Sequence, residues 1–80
     1  MNLANEFEPN TNPDLADTAH VQHVLDTHEA GRLVTVLTCN EAIDGAQWTV
    51  LARDMSGNLQ HLDVCSEPGY NDVELLSTLS

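Results

Sequence analysis

Four histidines and two cysteines carry the most versatile chemistry in this chain. His20 and His23 are three residues apart, which makes them neighbours on a helix surface. His61, Asp63 and Cys65 alternate, so on a strand they share one face. With Cys39, such groups could supply the four ligands of a tetrahedral zinc ion, at about 2.0–2.3 Å each. Their spacing follows no zinc signature: there is no C-x2-C pair, no H-E-x-x-H, and no H-x-E with a P-C-x-x-C partner. In their plainer role the histidines line the flank of a helix in water and the cysteines are small buried thiols. Zinc is the alternative.

Other catalytic patterns are missing. Ser56, Ser66, Ser77 and Ser80 fall in turns or near the C-terminus, outside any nucleophile-elbow pattern. No spacing requires Cys39 and His61 to act as a thiol–imidazole pair. The chain has no glycine-rich phosphate loop, and Asn40–Gly45 (NEAIDG) lacks the D-x-D-x-D-G rhythm of a calcium loop. No catalytic, cofactor or metal residue is assigned, and the expectation is a protein that is not an enzyme.

Acids dominate what remains. Thirteen carboxylates face two arginines and no lysine in 80 residues, a formal charge of −11 at pH 7. A field of that sign attracts cationic partners and raises self-repulsion. It disfavours direct nucleic-acid binding, which draws most of its affinity from neutralised phosphates, and an anionic membrane would repel it. Asp14/Asp17 and Asp26/Glu29 are spaced i, i+3, each a like-charged pair that costs a helix a few tenths of a kcal/mol. Asp26 and Glu29 also fall near the negative end of the expected helix dipole. The candidate partner-binding residues are therefore Asp14, Asp17, Asp26 and Glu29, with Glu41 and Asp44 on a loop.

These residues need a scaffold. The length allows one small domain that buries about 60–65% of its unfolded surface. Met1–Thr11 has no hydrophobic period and reads as a flexible arm, with Phe7 as a possible anchor; residues 12–80 form the domain. Asn12 as N-cap, Pro13 at the first position and Gly31 past the end predict a helix to about Ala30, with Leu15, Val21, Val24 and Leu25 on one face. Arg32–Cys39, Gln47–Arg53 and Leu59–Cys65 read as strands, separated by a loop over Asn40–Ala46 and a turn at Asp54–Asn58. Val73, Leu76 and Leu79, behind Asn71 as N-cap and Glu74 at N3, predict a short terminal helix.

The fold class is thus α+β, in the order α-β-β-β-α, with a helix packed on a three-stranded antiparallel meander. Cys39 and Cys65 then lie on the two outer strands, about 9–10 Å apart. That exceeds the roughly 7 Å a disulfide tolerates, so free thiols are expected. The strand faces are not cleanly split between apolar and polar. The uncovered face needs a homodimer, the terminal helix or a partner to cover it.

In size, charge and α/β make-up the chain resembles small acidic phage-encoded nucleic-acid mimics, including anti-CRISPR and anti-restriction inhibitors. The resemblance covers the gross character of the whole chain and carries no motif, so it transfers no functional residue. It implies an inhibitor that occupies the nucleic-acid site of a basic partner, in its most concrete form an anti-CRISPR protein acting on an effector complex. The alternatives are the immunity protein or antitoxin of a basic nuclease, a salt-adapted interaction domain, or a small zinc protein. With no apolar run of the roughly 18–20 residues that span a membrane, and no basic-then-apolar leader, the expected location is cytoplasmic.

Overall fold

The computed structural model describes residues 12–79, so the arm at Met1–Thr11 and its Phe7 lie outside the described residues. The described chain holds a 3-10 turn at Pro13–Leu15 and a helix α1 at Thr18–Thr27. Four strands follow: β1 Arg32–Ala42, β2 Gly45–Arg53, β3 Leu59–Glu67 and β4 Tyr70–Thr78. The strands form one antiparallel sheet in the order β1-β2-β3-β4.

The first helix is shorter than its cap signals predict. Asn12 does cap, but it caps the 3-10 turn, its side chain accepting from Asp14 N at 3.1 Å. Ala16 is extended, and Asp17 becomes the N-cap of α1 by accepting from His20 N at 3.1 Å. Asp14 and Asp17 are therefore not neighbours on one helix face. At the other end Ala30 N donates to Leu25 O (2.8 Å) and Glu29 N to Asp26 O (3.1 Å), the paired bonds of a Schellman stop. The residue in the left-handed position is Glu29, with φ +52°, rather than a glycine. Gly31, with φ +100°, serves a different need: a Cβ there would stand 1.9 Å from the Arg53 carbonyl oxygen.

Val21, Val24 and Leu25 of α1 are buried against Cys39, Trp48, Val50, Ala52, Leu62 and Val64 on one face of the sheet. Each fully buried aliphatic side chain of this kind contributes roughly 1.5–3 kcal/mol. On β1 the inward residues are Leu33, Val36 and Cys39, spaced by three instead of two. Two bulges explain this. Val34 and Leu37 are the extra residues, so Leu33, Val36 and Cys39 can each face an inward residue of β2: Ala52, Val50 and Trp48. Both extra side chains are left exposed.

The terminal helix predicted at residues 71–79 is a strand, and the sheet has four strands instead of three. The segment satisfies two periods at once. Val73, Leu76 and Leu79 fit a helical stripe, whereas Asn71, Val73 and Leu75 alternate with Asp72 and Glu74. Long-range pairing decides between them. Pro68 and Gly69, the latter at φ +78°, make a two-residue turn that returns the chain beside β3. There Val73 meets Val64, and a full ladder replaces an unpaired edge; a helix this short is marginal in water. The expected loop at Asn40–Ala46 is likewise mostly strand, with only Ile43 and Asp44 turning.

Candidate functional site

The meander sorts the charges along the strands. The β1–β2 and β3–β4 turns emerge at one end of the sheet, where Glu41, Asp44, Glu67 and Asp72 all lie within three residues of a turn. Asp17 joins them from the start of α1, its backbone N–H donating to Glu41 Oε1 at 3.1 Å. Both arginines sit at the other end, Arg32 directly across from Arg53. Asp54, in the turn there, accepts from Ser56 N and Asn58 N and is occupied in closing that turn.

At the acidic end a cleft of about 510 Å³ opens between α1 and the two turns, with Trp48, Glu41, Glu67, Ser66 and Asn71 among its lining residues. Two hydrogen-bonded groups hold its walls. Glu41 Oε1 accepts from Trp48 Nε1 (3.0 Å) as well as from Asp17 N, which ties the helix N-terminus to the sheet. Ser66 Oγ donates to Asn71 Oδ1 at 2.9 Å and meets His20 Nε2 at 2.8 Å. The His20 ring also stands edge-on to Trp48, with centroids 5.9 Å apart.

Ser66 Oγ thus bridges the Asn71 side chain and the His20 ring, and the donor and acceptor roles at His20 Nε2 follow from the imidazole tautomer.

Beside the cleft, the uncovered face of the sheet carries a second group of acids. Asp63 of β3 lies directly across from Glu74 of β4, and Cys65 lies across from Asp72. Like charges directly opposed on a sheet destabilise it, a cost offset in part where both Asp63 carboxylate oxygens accept from Gln47 Nε2 at 3.0 Å. The field registers on two neighbours. Cys65 has its thiol pKa raised by burial, then by Glu67, Asp63 and Asp72. Tyr70 is raised foremost by the charge of Asp72. The Tyr70 ring stays 57% exposed amid these carboxylates.

The six acids singled out from sequence have unlike positions. Asp17 and Glu41 meet at the cleft and are tied into the fold, and Asp44 is exposed at the adjacent turn. Asp14 sits exposed on the 3-10 turn, while Asp26 accepts from Gln22 Nε2 at 2.8 Å and Glu29 occupies the helix stop. Asp63, Glu67, Asp72 and Glu74 were not assigned to the site. Their signal was the alternation Tyr70, Asp72, Glu74, which shares a face only on a strand.

The histidine–cysteine group is dispersed. Cys39 is in the core beside Glu41, its thiol pKa raised first by burial and then by that carboxylate. Cys65 pairs with Gln47, the neighbour of the Cys39-paired Trp48, so the two thiols occupy opposite faces; both are free. His61 lies on the open face between Leu51 and Ser77, its Nε2 enclosed without a hydrogen-bond partner among the described residues. Among the described residues no three of the histidine, cysteine and acidic side chains converge as a metal site would require. Nor is any helix there long and apolar enough to cross a membrane.

No family model, no curated protein and no solved structure matches this chain.

Proposed function

We propose that this protein is an acidic inhibitor that docks on the basic, nucleic-acid-handling surface of a partner and blocks it. The observation that carries the reading is the separation of charge along the sheet. Glu41, Asp44, Glu67 and Asp72 gather at one end, and the opposed arginines sit at the other. Duplex DNA offers a negative charge every ~1.7 Å of its axis, and the clefts that bind it are lined with lysine and arginine. A carboxylate surface steers toward such a cleft by the same field. The repulsion left between Asp63 and Glu74 is relieved when cations approach them, so binding recovers part of what folding lost. The most concrete partner is a CRISPR effector complex; an immunity protein acting on a basic nuclease uses the same physics.

The test is inhibition. A bacterial interference complex, or a basic nuclease, is assayed for target binding with rising amounts of wild-type protein and of the Asp44→Lys/Glu67→Lys/Asp72→Lys variant. All three positions are exposed, so the variant should fold. The reading requires that wild type compete with DNA and that the variant fail to do so. Equal behaviour of the two refutes it.

A further inference from the structure

We infer that the outer edge of β4 takes up an extended, alternating basic and apolar segment of the partner as a fifth strand. This deepens the proposed function and rests on it. The two edges of the sheet differ. β1 is interrupted by two bulges and has the 3-10 turn packed along it, both devices that blunt an edge. β4 is regular from Tyr70 to Leu75, and its one irregularity falls after Leu75. Among the described residues no strand pairs with its outer side. Its head is engaged, where the Asn71 carbonyl meets His28 Nε2 at 3.1 Å.

Alternation gives that edge a two-sided code. Tyr70, Asp72 and Glu74 face the open side of the sheet, with Asp63 and Glu67 behind them on β3. Val73 and Leu75 face the helix side, and Leu75 is 54% exposed. An added strand whose lysines or arginines fall on the first side and whose aliphatic residues fall on the second satisfies both. Its backbone completes the ladder, and its side chains set the register. A second copy of this chain is a poor occupant, because pairing β4 with itself sets acids against acids between two molecules of charge −11.

The experiment titrates the full chain with three peptides as long as β4. One alternates lysine and valine, one holds the same residues in two blocks, and one is the alternating peptide N-methylated throughout. Affinity is read by fluorescence anisotropy and backbone protection by amide hydrogen exchange. The expected result is that the alternating peptide binds about tenfold or more tightly than either other peptide. It should also protect the Val73–Thr78 amides. Equal binding of all three, or protection on β1 instead of β4, overturns strand addition and leaves the acidic surface intact as a docking site. No binding by any peptide overturns the inference and removes its support from the proposed function as well.

Discussion

Removing the Glu41 carboxylate should destabilise this protein, although elsewhere the loss of a negative charge from a −11 chain relieves repulsion. Glu41 Oε1 is shared by Trp48 Nε1 and Asp17 N, at 3.0 and 3.1 Å. Hydrogen bonds to a charged acceptor contribute about 1.5–3 kcal/mol each. Glu41 is half-buried, so solvent takes back part of this, and Glu41→Ala should cost about 2–4 kcal/mol in total. Much of that cost is the indole N–H left enclosed without an acceptor. Glu41→Gln keeps an oxygen in place and should lose about 1 kcal/mol, while Asp44→Ala at the exposed turn should stay within about 0.5 kcal/mol of wild type. Urea unfolding reads all three directly, because Trp48 is the one tryptophan and is only 2% exposed. In a domain this small the Glu41→Ala loss corresponds to a Tm drop of roughly 10–25 °C. The reasoning fails if Glu41→Ala is as stable as Asp44→Ala, since Glu41 would then be one more surface charge.

Backbone strain and pH supply further tests. Gly31→Ala should destabilise by about 2–3 kcal/mol or more, seen as a lowered urea midpoint, because φ +100° and the Arg53 carbonyl at 1.9 Å both oppose a Cβ. Glu29→Gly should stabilise by about 0.5–1 kcal/mol by relieving a left-handed residue at the helix stop, read in the same unfolding curves. Cys39 and Cys65 hold their protons above the ordinary thiol value of 9.0 in the folded state. Below that pH both folded and unfolded thiols are protonated and stability is indifferent to them. Above it the unfolded chain ionises first, so stability should fall as pH rises from 9 through the folded values, and Cys39→Ala should flatten that decline. Alkylation of native Cys65 should be slow at neutral pH and accelerate with salt, as screening weakens the field of Glu67, Asp63 and Asp72.

What the sequence made legible were the local devices. The burial of Val21, Val24 and Leu25, the capping role of Asn12 and the three antiparallel strands follow from short-range patterns that tertiary packing leaves unopposed. Illegible were features set by pairing between distant segments. The two bulges in β1 convert a period of two into a period of three, so Leu33, Val36 and Cys39 share a face that alternation alone divides. Asn71–Thr78 carries helical and strand periods together, and only the presence of the β3 edge selects the strand. Of the acidic end, Asp17, Glu41 and Asp44 are read from the sequence, but their assembly with Glu67 and Asp72 was hidden for the same reason. Glu41 and Asp17 are 24 positions apart in the chain yet share a hydrogen bond. Asp63 and Glu74 become neighbours only once β4 exists.

The acidic turn end is the central claim, and capture from a nuclease-treated bacterial lysate tests it most directly. Wild-type protein and the Asp44→Lys/Glu67→Lys/Asp72→Lys variant are immobilised side by side and eluted along a salt gradient. The account requires a basic nucleic-acid-binding complex on the wild type alone, released by rising salt and displaced by added duplex DNA. The same proteins on both surfaces, or a bound complex indifferent to salt and DNA, would contradict it.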